Sequence, residues 1–185
     1  MSPIASADVN AILSQTRSQW LRNRASQGDY FDKLVIGAAV FRQANTPDDF
    51  QLLIVRRAAH EEYYPNCFEM PSGKVDEGET VGEALARELF EETGLTLSSV
   101  LAQIPEITYT TEKIIIDGGK EVQIVQTACQ LNFAVETTED VVKLNEEEHS
   151  EWRWTTVEEM GTLQMTRLMR ECTEEALEWA EANLG

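Results

Sequence analysis

The stretch Gly73–Leu95, GKVDEGETVGEALARELFEETGL, decides how this chain is read. Thr80 and Glu83 stand in the T-x-x-E order of a capping box, where the hydroxyl takes a backbone N–H and the glutamate closes back on the cap. Ala84 and Leu85 carry the run forward, and Gly94 offers a C-cap residue without a Cβ, so a helix is expected between Thr80 and Gly94. Each helical residue advances about 100°, which puts Glu88, Glu91 and Glu92 within an arc of about 100°. Three carboxylates so close repel one another, and a cation offsets that cost. An all-oxygen donor set selects hard ions, Mg²⁺ or Mn²⁺, over Zn²⁺. Taken alone, Glu91-Glu92 reads as an ordinary solvated helix face. That bland reading leaves Arg87 without a purpose, and also the glycines ahead of the helix. Gly73 permits close backbone approach to a ligand, and Gly78 permits a tight turn.

The spacing is more specific than the helix. Gly73 is followed by five residues, Glu79, seven residues, and Arg87-Glu88-Leu89-Phe90-Glu91-Glu92-Thr93-Gly94-Leu95. At every defined position this resembles the Nudix box, G-x5-E-x7-R-E-U-x-E-E-x-G-U with U apolar. A chance match in a chain of this composition is on the order of 10⁻⁵. The resemblance extends over roughly Leu34 to Thr156 and takes in a MutT-type approach, a strand ending in Arg56-Arg57 followed by Phe68-x-x-Pro71 and Gly73-Lys74. It implies an α/β fold, a Nudix-type α/β/α sandwich with a central mixed sheet. It also implies Mg²⁺-dependent hydrolysis, with Mn²⁺ as the alternative ion, of a diphosphate linkage in a small phosphorylated metabolite.

Residue by residue, the resemblance gives Glu88, Glu91, Glu92 and the main-chain carbonyl of Ser72 as metal ligands, with Gly73, Glu79 and Arg87 orienting them. Ser72 departs from the usual glycine, and a serine is penalised at positive φ, though its carbonyl survives the exchange. Arg57 and Lys74 match substrate-contacting cations, against the alternative that each is simply solvated. Phe68, with Tyr63, Tyr64 and Met165, is a candidate for an apolar or stacking pocket. Glu92 or a carboxylate of the 146–148 loop is the candidate base, with Glu147 favoured over Glu146 and Glu148. His149 is a rival base, although a lone histidine in an acidic loop reads first as exposed. The segment LQMTRLMREC has no asparagine to read an oxidised purine. A non-catalytic Nudix-like module that only binds a phosphorylated ligand is the alternative function, but such modules usually carry a damaged box. Isopentenyl diphosphate isomerase shares the fold, and Cys67 alone does not rebuild its site.

Outward from the box, KLVIGAAVF (Lys33 to Phe41) and FQLLIVRR (Phe50 to Arg57) read as buried strands, and Ala58 to Glu79 as a long loop. Lys113 to Asp117 and Val122 to Val135 are expected to form a hairpin joined near Gly118 and Gly119. WRWTT is a short strand. A C-terminal helix is expected from about Met165 to Asn183, with Leu168, Cys172, Leu177 and Trp179 inward. Ala7 to Arg24 reads as one helix, so residues 1–32 are an N-terminal helical extension and 33–185 the hydrolase domain.

The formal net charge of the 185 residues is -18, which opposes binding of polymeric nucleic acid or of anionic membranes. A small-molecule diphosphate is the expected partner. No membrane span or secretory signal is expected, and the three scattered cysteines fit reduced thiols, so the expected location is cytoplasmic. Arg17, Arg22 and Arg24 among serines leave a mitochondrial transit peptide as a minor reading. A homodimer through the extension or the hairpin is an analogy only.

Overall fold

The computed structural model describes residues 6–44 and 49–185. Two helices, α1 (Ser6–Leu13) and α2 (Arg17–Gln27), precede the strands β1 (Lys33–Gln43), β2 (Phe50–Arg57), β3 (Phe68–Glu69) and β4 (Ser72–Lys74). Then follow α3 (Val81–Thr93), β5 (Leu97–Asp117), β6 (Lys120–Thr137), β7 (His149–Thr155), α4 (Val157–Met160) and α5 (Arg167–Leu184). The sheet runs β3-β2-β1-β6-β5, with β4 paired to β1 and β7 to β2. Strands β1 and β6 are parallel and every other pairing is antiparallel, so the sheet is mixed, as expected.

Alternation along the strands divides the core in two. Ile36, Ala38 and Val40 of β1 point to one face and join Leu85 and Leu89 of α3, together with Leu131 and Phe133 of β6. Ala39, Leu52 and Ile54 point to the other face and pack on Cys172, Ala176 and Leu177 of α5. The result is a sheet between helical layers. Helix α3 is closed at both ends by local signals. Thr80 and Glu83 form the expected capping box at α3, and Gly94 closes that helix in the left-handed region at φ 70°.

The single N-terminal helix read from the sequence is in fact two. Thr16 and Gln19 make a second capping box that starts α2, a T-x-x-Q signal present in the sequence. The break serves a purpose: Gln15 O accepts from Val81 N at 2.9 Å, and Arg17 N donates to Glu79 O at 3.1 Å, so the exposed backbone between the helices is tied to the start of α3. Val9 and Trp20 are buried in the same core cluster as Leu34 and Val81.

The long loop also differs from expectation, because β3 and β4 form inside it. Both are too short to show a pattern and exist only through their partners β2 and β1. The hairpin is longer than its quoted halves but turns at Gly118 and Gly119 as read, both at positive φ. In α5 the most buried apolar residues are Met169, Cys172, Ala176, Leu177 and Ala180, with Leu168 and Trp179 at the margin of the core.

Candidate metal and active site

Strand β4 lies along β1, and its two edges have different tasks. Pro71 O accepts from Ala38 N and Val75 N donates to Leu34 O, so the backbone groups of residues 71, 73 and 75 face β1. Ser72 and Lys74 therefore turn their backbone groups the other way, towards α3. Ser72 N donates to Glu92 Oε2 at 2.9 Å, and Lys74 O accepts from Arg87 Nη2 at 3.0 Å. Ser72 does not have positive φ. The steric penalty expected for a serine is absent, because this backbone is an extended strand.

Gly73 stands where the helix meets this edge. A Cβ built on it would lie 2.0 Å from the Glu88 carboxyl carbon and 2.2 Å from both its oxygens. The residue omits a side chain so that a carboxylate can rest on the strand. The close approach read from the sequence is thus made by Glu88 itself.

Arg87 organises the rest. It donates from Nε to Glu79 Oε1 at 2.8 Å and from Nη2 to Glu79 Oε2 at 2.9 Å, the two-pronged geometry that suits a guanidinium. Hydrogen bonds from Arg87 hold the Glu79 carboxyl below its ordinary range, assisted by the Asp76 N–H. The remaining nitrogen, Nη1, contacts Glu88 at 2.8 Å and Glu91 at 3.0 Å. One cationic nitrogen thus occupies the space between two of the candidate ligands.

Glu92 is buried and Glu88 nearly so, whereas half of the Glu91 side chain is exposed. Burial pushes the Glu92 carboxyl well above the usual carboxylate range, and the nearby Glu69 charge adds to the effect. Burial also raises Glu88, against the opposing pull of Arg87. Among the described residues no three carboxylate, imidazole or thiol groups converge tightly enough, as they stand, to hold an ion. The donor set nevertheless fits a hard divalent cation. It consists of oxygens only, the carboxylates of Glu88 and Glu91 already share one cationic nitrogen, and the outward edge of β4 holds Glu92 through the Ser72 N–H.

Two residues that were read otherwise converge here. His149 is 1% exposed rather than solvated, since β7 begins at this residue and pairs it with Arg57. Its Nε2 lies 3.8 Å from Glu92 and 3.9 Å from Glu69, and neither ring nitrogen has a hydrogen-bond partner among the described residues. The 146–148 loop is exposed, and it is the charge of Glu148, not Glu147, that bears on Glu88 and Glu92. Glu147 donates its N–H to Asn145 Oδ1 in the turn. Glu69 was not anticipated at all. It sits in a two-residue strand with no periodicity to betray it.

Beside the carboxylates runs a cleft of about 270 Å³ lined by Lys33, Tyr63, Glu69, Gly73, Lys74 and Tyr109, among others. The Lys74 side chain is exposed, with no ion-pair partner among the described residues, and borders this cleft. Arg57 borders it too, but its guanidinium is already engaged. Nε donates to Tyr63 O at 2.8 Å, Nη1 to Glu69 at 2.8 Å and Nη2 to Glu61 at 2.6 Å. Arg56 Nε donates to Asn66 O, and Arg57 N donates to Cys67 O. The paired arginines fasten the segment between Ala58 and Cys67. Phe68 is buried, its ring flanked by the guanidinium groups of Arg56 and Arg153. Met165 is half-buried against the α5 core and borders neither the cleft nor the recess beside it.

The profile of the NUDIX domain matches residues 33–179. This chain belongs to the Nudix family. Among curated relatives, it is 30% identical over 134 residues to the RNA pyrophosphohydrolase of Acidiphilium cryptum, covering 69% of this chain and 77% of that protein. It is 41% identical over 64 residues to the 8-oxo-dGTP diphosphatase of Escherichia coli, covering 35% of this chain and 46% of that protein. The chain therefore spans about half the length of some curated relatives it matches. Among solved structures, a MutT Nudix hydrolase from Burkholderia pseudomallei superposes with a TM-score of 0.55 at 19% identity, covering 77% of this chain and 96% of that one. That likeness supports the Nudix fold. No described helix is long and apolar enough to cross a membrane.

Proposed function

We propose that this Nudix protein hydrolyses a diphosphate linkage in a small nucleotide-like metabolite with the help of Mg²⁺ or Mn²⁺. The carrying observation is the seating of Glu88 on Gly73, which together with the Glu79–Arg87 fork places the carboxylate face of α3 against the outward edge of β4. Glu88, Glu91, Glu92 and the Ser72 carbonyl would hold the ion. When bound, the cation supplies neutralisation of phosphate charge and a more acidic water.

The chain's own residues do the rest. Arg87 and Glu79 fix the helix against the strand so that the ligand carboxylates keep their geometry. Glu92, whose burial makes its ionised form a stronger base than an exposed carboxylate, is suited to take a proton from the attacking water, with Glu148 of the loop before β7 as the second candidate. Lys74 offers its ammonium to the phosphates at the cleft edge. Arg57 acts through the segment it fastens. The intact carboxylate set disfavours a module that only binds.

The relatives named RNA pyrophosphohydrolase make a 5′-phosphorylated RNA end the second substrate to test, although a net charge of -18 leaves little surface to hold a polymer. The experiment measures phosphate and diphosphate release from nucleotides, nucleotide-linked diphosphates, prenyl diphosphates and 5′-triphosphorylated RNA, with and without Mg²⁺. A Glu91→Gln, Glu92→Gln double variant runs beside the wild type. Turnover that needs the ion and vanishes in the variant supports the reading, and ion-dependent ligand binding without turnover replaces it with the sensing module.

A further inference from the structure

Strand β1 begins opposite Ala128, and Asp32 reaches one residue further, to Thr127. From there to the turn, β5 and β6 run on as a ribbon of two strands with no third beside them. Such a ribbon is barely stable in water by itself, and further strands are what usually secure one. This one also exposes branched aliphatic side chains on both faces. Ile114 is 65% and Ile116 69% exposed on one, and Val122 is 40% and Ile124 36% exposed on the other.

Thr127 reveals which backbone groups reach the free edge of β5. Its N–H donates to Asp32 Oδ2 at 2.8 Å and its carbonyl accepts from Asp32 N at 2.8 Å, so both point away from β5. Thr110, opposite Thr127, therefore also turns its groups outward. The register runs without a shift from there to Asp117, and alternation brings Glu112, Ile114 and Ile116 to the free edge as well. The turn agrees. Gly118 and Gly119, at φ 56° and 80°, match a type I′ turn, whose closing bond joins Asp117 to Lys120 and leaves the odd-numbered residues turned towards β6.

The free edge reads Lys113-Ile114-Ile115-Ile116-Asp117, which is complementary to itself. Laid antiparallel on a copy about Ile115, it sets Lys113 opposite the partner's Asp117 and Asp117 opposite the partner's Lys113. Ile114 meets the partner's Ile116 with the backbone groups of both available, the bonded kind of antiparallel pair, and Ile115 meets its own copy in the closer, unbonded kind. A slide of one residue would set outward groups against inward ones, and a slide of two would lose both ion pairs. The outer edge of β6 offers no such match, because its charges, Lys120 and Glu121, are neighbours at the turn.

We infer that a second copy of this chain covers this edge, joining the two ribbons into one four-stranded sheet about a twofold axis at Ile115. The same patch serves on both sides, as a closed dimer requires. The inference is independent of what the protein hydrolyses. Asp117 has no ion-pair partner of its own among the described residues. Lys113 Nζ lies 2.9 Å from Glu62 Oε1, and an ammonium with three protons can serve Glu62 and the partner's Asp117 together. Glu62 and Thr111 border the cleft, so the join lies beside it. Each copy carries a charge of -18, and at physiological ionic strength screening over about 8 Å damps that repulsion while leaving the adjacent ion pairs.

The test is sedimentation velocity on the full chain across a range of concentrations at about 0.15 M salt. A contact this short lies at the small end of specific interfaces, so the wild type is expected to pass from monomer to dimer at about 1–100 µM. Lys113→Asp sets acid against acid twice at the join, and Asp117→Lys sets lysine against lysine twice, so each variant alone should associate about tenfold or more weakly. Mixed in equal amounts, the two should associate as the wild type does, because every acid in the mixed pair again faces a lysine. Ile114→Pro removes an N–H that faces only the free edge, so it should abolish the dimer while the circular dichroism and Tm of the monomer stay near the wild type. A wild type that is monomeric throughout leaves this edge to a different occupant and overturns the pairing. A dimer that neither charge variant weakens, or a mixture as monomeric as its two components, overturns it equally.

Discussion

Replacing Gly73 by alanine should separate the chemistry of this protein from its folding. The added Cβ would sit 2.0 Å from the Glu88 carboxyl carbon, whereas ordinary contacts begin near 3.4 Å, so the carboxylate must retreat by roughly 1.4 Å. What retreats is the far end of a flexible side chain, and the backbone at residue 73 is extended strand that alanine adopts without strain. The fold should therefore lose only about 1–2 kcal/mol, the lower part of the range for overpacking, which for a chain of this size is a fall in Tm of about 2–8 °C. The site should lose far more, since a displacement of about 1 Å at a catalytic group costs on the order of a hundredfold in rate. The assay is kcat on the best substrate of the panel, with Tm followed by circular dichroism in the same buffer. A variant that melts near the wild type and turns over within threefold of it would refute the claim that Gly73 exists to seat Glu88.

Other perturbations have equally definite outcomes. Glu92 has its carboxyl raised by burial, so the folded protein favours its protonated form. The resulting penalty is absent below the unfolded value of 4.5 and grows as pH rises above it, and in the metal-free protein Glu92→Gln should remove it. Scanning calorimetry in a chelator should find the variant more stable at pH 7 to 8 and the two alike near pH 4; equal stability at pH 8 would contradict the burial argument. The same variant should lose about a hundredfold or more in kcat. Arg87→Lys keeps the charge but not the fork to Glu79, and isothermal titration with Mn²⁺ should show affinity weakened about tenfold to a hundredfold; unchanged affinity would remove Arg87 from the orienting role. Arg57→Ala should expose the backbone between Ala58 and Cys67 to limited proteolysis and raise KM more than it lowers kcat, whereas a pure loss of kcat would point to direct contact with the reacting phosphate.

The parts of this structure that could be read beforehand are those with local causes. The capping box at Thr80, the glycine at residue 94, strand Phe50–Arg57 and the Gly118-Gly119 turn each depend on residues a few positions apart. The parts that could not be read depend on distant partners. Strand β4 is three residues long and owes its existence to β1. Arg57 resembles a free cation until Glu61 and Glu69 are placed beside it. His149 is drawn inward by the ladder between β7 and β2, which an acidic neighbourhood conceals. Gln130 and Asn132 looked like ordinary members of a strand, because nothing in their own segment reveals that Gly37 opens a space for them.

The tie between the first two helices and the start of α3 bears on where this protein can be cut. The stretch that relatives share begins at residue 33, but the packed unit begins earlier, for Val9 and Trp20 lie in one core with Leu34 and Val81. A shortened chain that starts at the shared boundary would present that apolar surface to water and leave the Val81 N–H without its acceptor, Gln15 O, and the Glu79 carbonyl without its donor, Arg17 N. The frontier drawn by ancestry and the frontier drawn by packing do not coincide here, and the second governs what will stay folded in a test tube.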